Sequence, residues 1–429
     1  MKKCTKLIAV ALSLCLLLIT GCTSSNTNDL SHTNADNSDD KVKITVAVDI
    51  FNTDSIKQLK NYAQILYPEL QIELIEFDYD SYDMGERESQ ITAMKSEIMA
   101  GKGPDAFIMS TIVPWEQYNN DGHPVVEDRI FRDPNKAIRN RIFLPLDDYI
   151  ASSQVFSMDD HVSTIIDAGK YDGKQYVLPL TYTYEVYLYN KSDVDLAEID
   201  SWNDVVSYKN HAFVDNLGSY FFDWMANRFG TIADYESYSL LLTKEDLINE
   251  LTAYDSMREH SDVSVDKVDN FPALSDAFLD EWASLGDEVT AVPILNKNDG
   301  ITAFVNHYVA VNANSKHPDW AFKFIELFYS PEVQSEEGFK YEDGGNTMHA
   351  AVYCRPDGLE YLFNEGIATG KIMYKEYPML EEMNSKINSV RFYTPIDRAF
   401  YDIAMDYITN GDLEIVDAYY KSFQMEISE

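Results

Sequence analysis

Glu88–Met109 (ESQITAMKSEIMAGKGPDAFIM) restricts the possible folds more than any other stretch of the chain. Ile91, Met94, Ile98 and Met99 recur at helical spacing, which predicts an amphipathic helix with one buried face. Gly101 and Gly103 end it, because a helix C-terminus asks for a left-handed residue that glycine supplies without steric cost. Pro104 cannot continue a helix, and Ala106–Met109 reads as a short buried strand. The order is helix, tight turn, strand. A phosphate-cradling loop needs the reverse order, with a strand first and a helix N-terminus after the glycines. Gly101-Lys102-Gly103 is therefore punctuation and not a nucleotide site.

Upstream, Val42–Ile50 is a β-type run, and Ser55–Leu66 carries a helical stripe through Ile56, Leu59, Ala63 and Leu66. Pro68 closes that helix and Leu70–Phe77 alternates as a second strand. The result is β-α-β-α-β, the pattern of a parallel α/β sheet. Ligands of such sheets sit beyond the carboxyl ends of the strands, which makes Asp49, Phe51 and the Ser110–Trp115 loop, Trp115 included, candidate ligand contacts at a cleft rim.

Lys2, Lys3 and Lys6 precede the apolar run Leu7–Ile19, which is short for a membrane span and suited to a secretory signal. The run leads into Leu18-Ile19-Thr20-Gly21-Cys22, which resembles a lipobox, so residues 1–21 are expected to be removed and Cys22 lipidated. Cys4 and Cys15 leave with the signal and Cys354 stands alone, so no internal disulfide is expected. A single acyl chain anchors marginally, and stable anchoring implies at least a diacyl group on Cys22. Residues 22–41, rich in Ser, Thr, Asn and Asp, carry too little apolar surface to fold and read as a tether.

The formal net charge of −38 argues against a nucleic-acid partner and against a basic membrane face. The 8 histidines show no zinc spacing, and the acidic turn Asp78–Asp83 misplaces the glycine and closing glutamate of a calcium loop. No G-x-S-x-G is present, and nothing singles out a pair of carboxylates for glycoside hydrolysis. We therefore expect no catalytic residue, no metal and no cofactor.

Beyond the first sheet, Tyr171–Pro179 reads as a Gly-turned hairpin and a strand, and Leu180–Lys191 continues it. His211–Gly230 and Lys244–Arg258 carry helical patterns, and Glu288–Ile294 is a strand before the loop Asn296–Gly300. Phe304–Asn314 reads as a strand and Ser315–Gln334 as a helix opened by Pro318, with Ala321, Phe324, Ile325 and Phe328 as its stripe. Arg398–Thr409 and Asp412–Ile427 are predicted as helices separated by Asn410-Gly411.

The AGKGPD turn with its strand, Pro179, Tyr189-Asn190-Lys191, Trp202 and the stretch VAVNANSKHPDWAFKFIELFYSPEVQ occur in the order seen in the family 1 extracellular solute-binding proteins of ABC importers, which this chain resembles. The resemblance implies an α/β, two-lobe periplasmic-binding-protein-like fold with a hinge and an interlobe ligand cleft. It divides the chain into a first lobe of 42–181 plus 303–350 and a second of 182–302 plus 351–429. It places Tyr182 and Tyr184 at the first lobe crossing, where strand alternation sends both to one face. Similarity to the family's maltose-binding member carries ligand contact over to Tyr220, Trp282 and Tyr401. Its acidic residue at the crossing falls on Thr183, and its strand tryptophan on Met109, with Trp115 as a displaced substitute.

The implied function is that of a lipid-anchored receptor, a monomer, that captures a sugar or oligosaccharide by hinge closure and delivers it to permease subunits. The implied location is the extracytoplasmic face of a cell membrane, on a Gram-positive surface, with the periplasmic side of an inner membrane as the alternative. A receptor for a peptide, polyamine or other cation, and a surface glycan hydrolase, stay open as other readings.

Overall fold

The computed structural model describes residues 41–50, 53–77, 84–112, 117–118, 124–125, 129–192, 194–207, 221–258, 270–272, 289–330, 352–353 and 382–428. Lys41–Glu429 forms one compact unit. Cys22, Phe51, Asp78, Asp80, Asp83, Trp115, Tyr220, Trp282 and Cys354 lie outside the described residues.

The first half builds as the hydrophobic pattern dictates. Strand β1 (Val42–Asp49) leads to helix α1 (Asp54–Leu66), strand β2 (Leu70–Glu76), helix α2 (Met84–Met99) and strand β3 (Ala106–Ser110). β1 pairs in parallel with both β2 and β3, so the strand order is β3-β1-β2. Ile91, Met94 and Ile98 are buried, and each such side chain contributes about 1.5–3 kcal/mol by leaving water. Met99, placed on that face by its spacing, is instead 83% exposed. It lies one residue past Ile98, about 100° around the helix, and points off the sheet. Leu66, expected on the buried stripe of α1, is 44% exposed because it ends the helix where the chain turns toward β2. Gly101 and Gly103 adopt φ of 70° and 102°, the left-handed values the turn requires.

Helix α3 (Pro134–Arg139) and a hairpin of Lys170–Tyr171 with Lys174–Gln175 precede strand β4 (Val177–Thr183). After Tyr184 the chain enters strand β5 (Glu185–Asn190), which belongs to a different sheet. Helices α4 (Phe221–Arg228) and α5 (Lys244–Arg258) follow, then strands β6 (Asn270–Pro272) and β7 (Val289–Pro293), which flank β5 in a 3-stranded antiparallel sheet. Of the helix predicted over His211–Gly230, the described part is α4.

The chain returns to the large sheet in β8 (Ile301–Val311), 11 residues buried for most of their length. β8 starts before the predicted Phe304. Its first half pairs in parallel with β10 (Ile387–Phe392), a strand that sequence patterning did not reveal. Its second half lies antiparallel between β3 and β4. Helix α6 (Pro318–Ile325) and a short 3-10 turn (Glu326–Tyr329) follow, and β9 (Val352–Tyr353) adds to the outer edge of β4. The 7-stranded sheet runs β9-β4-β8-β3-β1-β2, with β10 on β8.

Helices α7 (Pro395–Asn410) and α8 (Ile415–Ser428) close the chain, with Gly411 at φ 66° between them. α7 begins at Pro395 and not at Arg398, because Thr394 and Asp397 form a capping box that satisfies the first turn. Two apolar layers cover the large sheet. One holds Ile44, Val46, Ile108, Leu178 and α6, and the other holds Ala47, Phe107, Met109, Tyr308 and the inner face of α2. Among the described residues no helix is long and apolar enough to cross a membrane.

Candidate functional site

The carboxyl ends of β1 and β3 and the switch from β4 to β5 lie along one edge of the large sheet. Asp49 of β1 pairs with Met109 of β3, Tyr308 of β8 with that same Met109, and His307 with both Ser110 and Thr181 of β4. β1, β3 and β4 all end along this edge, which is where a sheet of this kind presents a ligand site.

Asp49, expected at the rim, is 1% exposed. Its carboxylate accepts hydrogen bonds from Arg87 Nη2 at 2.7 Å and from the Ile130 backbone N–H at 3.3 Å, and Arg129 Nη1 stands 3.6 Å away. A buried carboxylate survives only when its lost hydration is replaced in this way. Burial pushes the Arg129 guanidinium down to about 10 even with Asp49 holding it up. In this arrangement Asp49 ties α2 and the Arg129–Phe131 segment to the sheet edge.

Thr181 Oγ1 and His307 Nδ1 are 2.7 Å apart across β4 and β8. Burial, and then the charge of Arg129, push His307 down to about 4, so the imidazole is neutral at pH 7 and the contact is a neutral hydrogen bond. Tyr182 is 2% exposed and donates through its hydroxyl to Asn384 Oδ1 at 3.3 Å. Tyr184, fully buried, occupies the position between the two sheets, and burial raises its phenol above the ordinary value. Both tyrosines share one apolar layer, on the face of the sheet that alternation predicts. Tyr401 is half-buried on α7, with the Arg398 guanidinium 5.5 Å from its ring centroid.

Buried side-chain atoms without a hydrogen bond near this switch include neutral groups as well as Arg391 Nε. Thr183 Oγ1, Tyr184 Oη, Asn306 Oδ1, Tyr308 Oη and Asn384 Nδ2 are buried and have no partner among the described residues. The first four belong to residues within three positions of the Thr181–His307 pair, and Asn384 meets Tyr182. Buried polar groups are normally paired, and these lie on both faces of the sheet, Tyr308 in the layer of Phe107 and Met109 and Tyr184 in that of Leu178. The neighbouring charges form ion pairs, with Arg391 Nε left without a hydrogen bond. Arg391 Nη1 meets Asp397 at 2.7 Å and its Nη2 donates to the Ala226 carbonyl, while Arg228 Nε donates to Glu250 at 2.7 Å. No group of acids, cysteines and histidines among the described residues is arranged to hold a metal ion.

Of the residues proposed from sequence, the structure brings Tyr182 and Tyr184 together and sets Asp49 on the opposite face of the same edge. Sequence reading missed Arg87, Arg129, Thr181, His307 and Asn384. Arg87 left a usable signal, since it lies four residues before Ile91 and so on the apolar stripe of α2, where a cation needs a buried anion. The others left none, because strand register and chain crossings decide their neighbours.

No family model matches this chain, and no curated protein matches it by sequence. Solved structures do. The sugar-binding protein MalE from the phytopathogen Xanthomonas citri is 12% identical and superposes with a TM-score of 0.59 over 90% of this chain and 98% of that one. An extracellular solute-binding protein family 1 from Alicyclobacillus acidocaldarius is 10% identical, with a TM-score of 0.58 over 91% and 99%. A periplasmic oligogalacturonide-binding protein from Yersinia enterocolitica is 12% identical, with a TM-score of 0.56 over 90% and 99%. The chain has the two-lobe α/β fold of the family 1 extracellular solute-binding proteins.

Proposed function

We propose that this protein is the substrate-binding receptor of an ABC importer, that its ligand is a sugar or oligosaccharide, and that Cys22 anchors it by lipid to the extracytoplasmic face of a cell membrane. The fold supports the receptor class, because solved proteins of this shape include a sugar-binding protein and an oligogalacturonide-binding protein. The observation that supports the ligand class is the set of neutral buried side chains without a hydrogen bond on residues flanking Thr181 and His307, namely Thr183, Tyr184, Asn306 and Tyr308. A polyhydroxylated ligand matches hydroxyl and carboxamide partners and stacks its apolar faces on tyrosines.

Ligand capture would proceed by rotation of two lobes about the crossings near Tyr184 and Asn296–Gly300, with contacts from both lobes favouring the closed form. Phe51, Trp115, Tyr220, Trp282 and Tyr401 are the aromatic contacts proposed for it, together with Tyr182 and Tyr184. The closed form would then dock on a permease. A receptor for a peptide, polyamine or other cation is the second reading, favoured by the net charge of −38, which would steer cations toward the surface.

Thermal unfolding of Lys41–Glu429 against maltotriose, lacto-N-biose, an oligogalacturonide, a tripeptide and spermidine separates the readings. A ligand at 100 times its Kd adds about 2.7 kcal/mol. Stabilisation by one saccharide series, with the saccharide recovered intact, is the expected result. Stabilisation by spermidine or tripeptide alone would replace the sugar reading, and hydrolysis of the saccharide would replace the receptor reading.

A further inference from the structure

Helices α1 and α6 pack on the same face of the large sheet, and their ends meet at the edge away from the cleft. α1 stops at Tyr67, whose carbonyl accepts from the Leu70 N–H where β2 begins. The Val42 N–H, at the start of β1, donates to the Glu69 carbonyl in the same turn. This turn therefore lies at the amino-terminal end of β1 and β2. Asp49 and the candidate site lie at the other end of β1, 8 residues on, or about 25 Å at the rise of a strand.

A band of aromatic and aliphatic side chains is left open at that turn. Ile65 is 76% exposed and Leu66 44%, and Tyr62, Tyr67 and Trp320 are half-buried. Helical spacing sets Tyr62 beside Ile65 and Leu66. The Tyr67 and Trp320 rings meet edge to face with centroids 6.0 Å apart. The Lys323 ammonium stands 4.3 Å from the Trp320 centroid and 5.7 Å from that of Tyr67. Burial, then Glu326, then Tyr62 raise the Tyr67 phenol, so the two tyrosines are near neighbours. Single exposed apolar residues need no explanation, but a contiguous band does. Isoleucine is also a poorer helix former than lysine or glutamine, so a position that faced only water would gain nothing from it.

What covers the band follows from where the chain enters. Lys41 is bonded directly to Val42, and residues 23–40 between it and Cys22 reach at most about 65 Å at full extension. With Cys22 held in lipid, the compact unit stays within that distance of the bilayer. Tethering of this kind corresponds to an effective concentration of about millimolar, so a contact too weak to hold a free protein is occupied. The residue types suit lipid. Tryptophan and tyrosine settle at headgroup level, aliphatic side chains enter the acyl boundary, and a lysine stem lies along apolar surface with its ammonium among the phosphates. The rim sets Lys41 and Lys323 against Glu69 and Asp319, all exposed, so this edge lacks the negative excess of the whole chain, −38. Anionic headgroups repel it less than they repel the rest of the surface.

We propose that the band of Tyr62, Ile65, Leu66, Tyr67 and Trp320, with Lys323, rests on the headgroup zone of the bilayer that holds Cys22. This rests on the lipid-anchor reading above and adds a resting orientation to it. The end of the sheet that receives the tether faces lipid, and the end that carries Asp49, Thr181 and His307 faces incoming solute. Delivery to a permease in the same bilayer then requires the band to leave the lipid.

The test couples Cys22–Glu429 carrying Cys354→Ser, through the Cys22 thiol, to a maleimide lipid in vesicles of equimolar phosphatidylcholine and phosphatidylglycerol. Tryptophan quenching is read with and without bromine on the upper acyl chains. Quenching by the brominated lipid is expected in the parent. Ile65→Asp with Leu66→Asp, which keeps Trp320, is expected to lower the quenched share at least twofold, and Trp320→Phe to do the same. Leu241→Asp with Met425→Asp, exposed apolar positions elsewhere on the molecule, is expected to leave it unchanged. Circular dichroism melting checks folding; should Trp320→Phe not fold, the exposed Ile65 and Leu66 pair decides alone. Absence of quenching in the parent, or quenching that a folded band variant leaves unchanged, overturns the proposal. A dimer of Lys41–Glu429 in sedimentation that Ile65→Asp with Leu66→Asp dissolves would assign the band to a second copy and overturn it too. The lipid-anchor reading fails separately, because the anchor is installed chemically here and that reading is decided by palmitate incorporation at Cys22 in cells.

Discussion

His307 shows how much a single side chain owes to its neighbours. Its ring lies at the crowded end of β8, hydrogen-bonded to Thr181 and close enough to Arg129 for that charge to disfavour protonation. The folded-state value near 4 lies below the ordinary 6.5, so the unfolded chain takes up a proton first as the pH falls. Stability from this group is complete above pH 6.5 and drains away between about 6.5 and 4, by roughly 1 kcal/mol at pH 5.5. Urea unfolding at pH 7.5 and 5.5 should show that loss, and His307→Gln should shrink it, since glutamine keeps a hydrogen bond to Thr181 without titrating. Arg87 and Arg129 teach the complementary lesson. An arginine on an apolar stripe announces that an anion is buried nearby, but that the anion is Asp49 follows only from the parallel register of β1 and β3.

Among the elements, those with strong local signals match the reading of the sequence: β1, α1, β2, α2 and β3 formed in that order with the parallel pairing their alternation implied. β10 was invisible because Ile387–Phe392 mixes Asn, Ser and Arg into a short run that becomes a strand by pairing with Ile301–Val305. α7 is the clearest case of a local signal passed over. Thr394, Pro395 and Asp397 form a capping box with proline at the first turn, and the carboxylate of Asp397 also receives Arg391. Thr394→Ala removes one side of that box while leaving the buried carboxylate its arginine. Chemical denaturation should register a loss of about 1 kcal/mol with an unchanged m-value.

At the scale of the whole molecule, tether and lobes make separate demands. The N-terminal reading predicts that Cys22→Ala abolishes incorporation of radiolabelled palmitate and moves the protein from the membrane fraction to the soluble fraction. A variant that stays membrane-bound and labelled would remove the lipid anchor from the proposed function. The lobes depend on long-range chain returns: β4 leaves the large sheet at Tyr184, β8 re-enters it at Ile301, and β9 and β10 come back to flank β4 and β8. Gly300 lies at one of these returns, and a Cβ there would come within 2.1 Å of the Asn388 amide. The loop that carries the chain between sheets is thus packed by backbone against the strand it meets.

The sequence by itself determined the α/β class, the parallel start of the sheet, the helix-stopping Gly-Pro turn and the apolar stripes of α2 and α6. These follow from periodicity and from the backbone freedom of single residues, which act over a few positions. Only the tertiary structure decided that Asp49 is spent on Arg87, that Thr181 meets His307, that Tyr182 meets Asn384, and that α3 reaches Tyr235 and Glu426. Each of those pairs residues far apart in the chain, and their meeting is set by strand register and chain crossings, which local propensity does not encode.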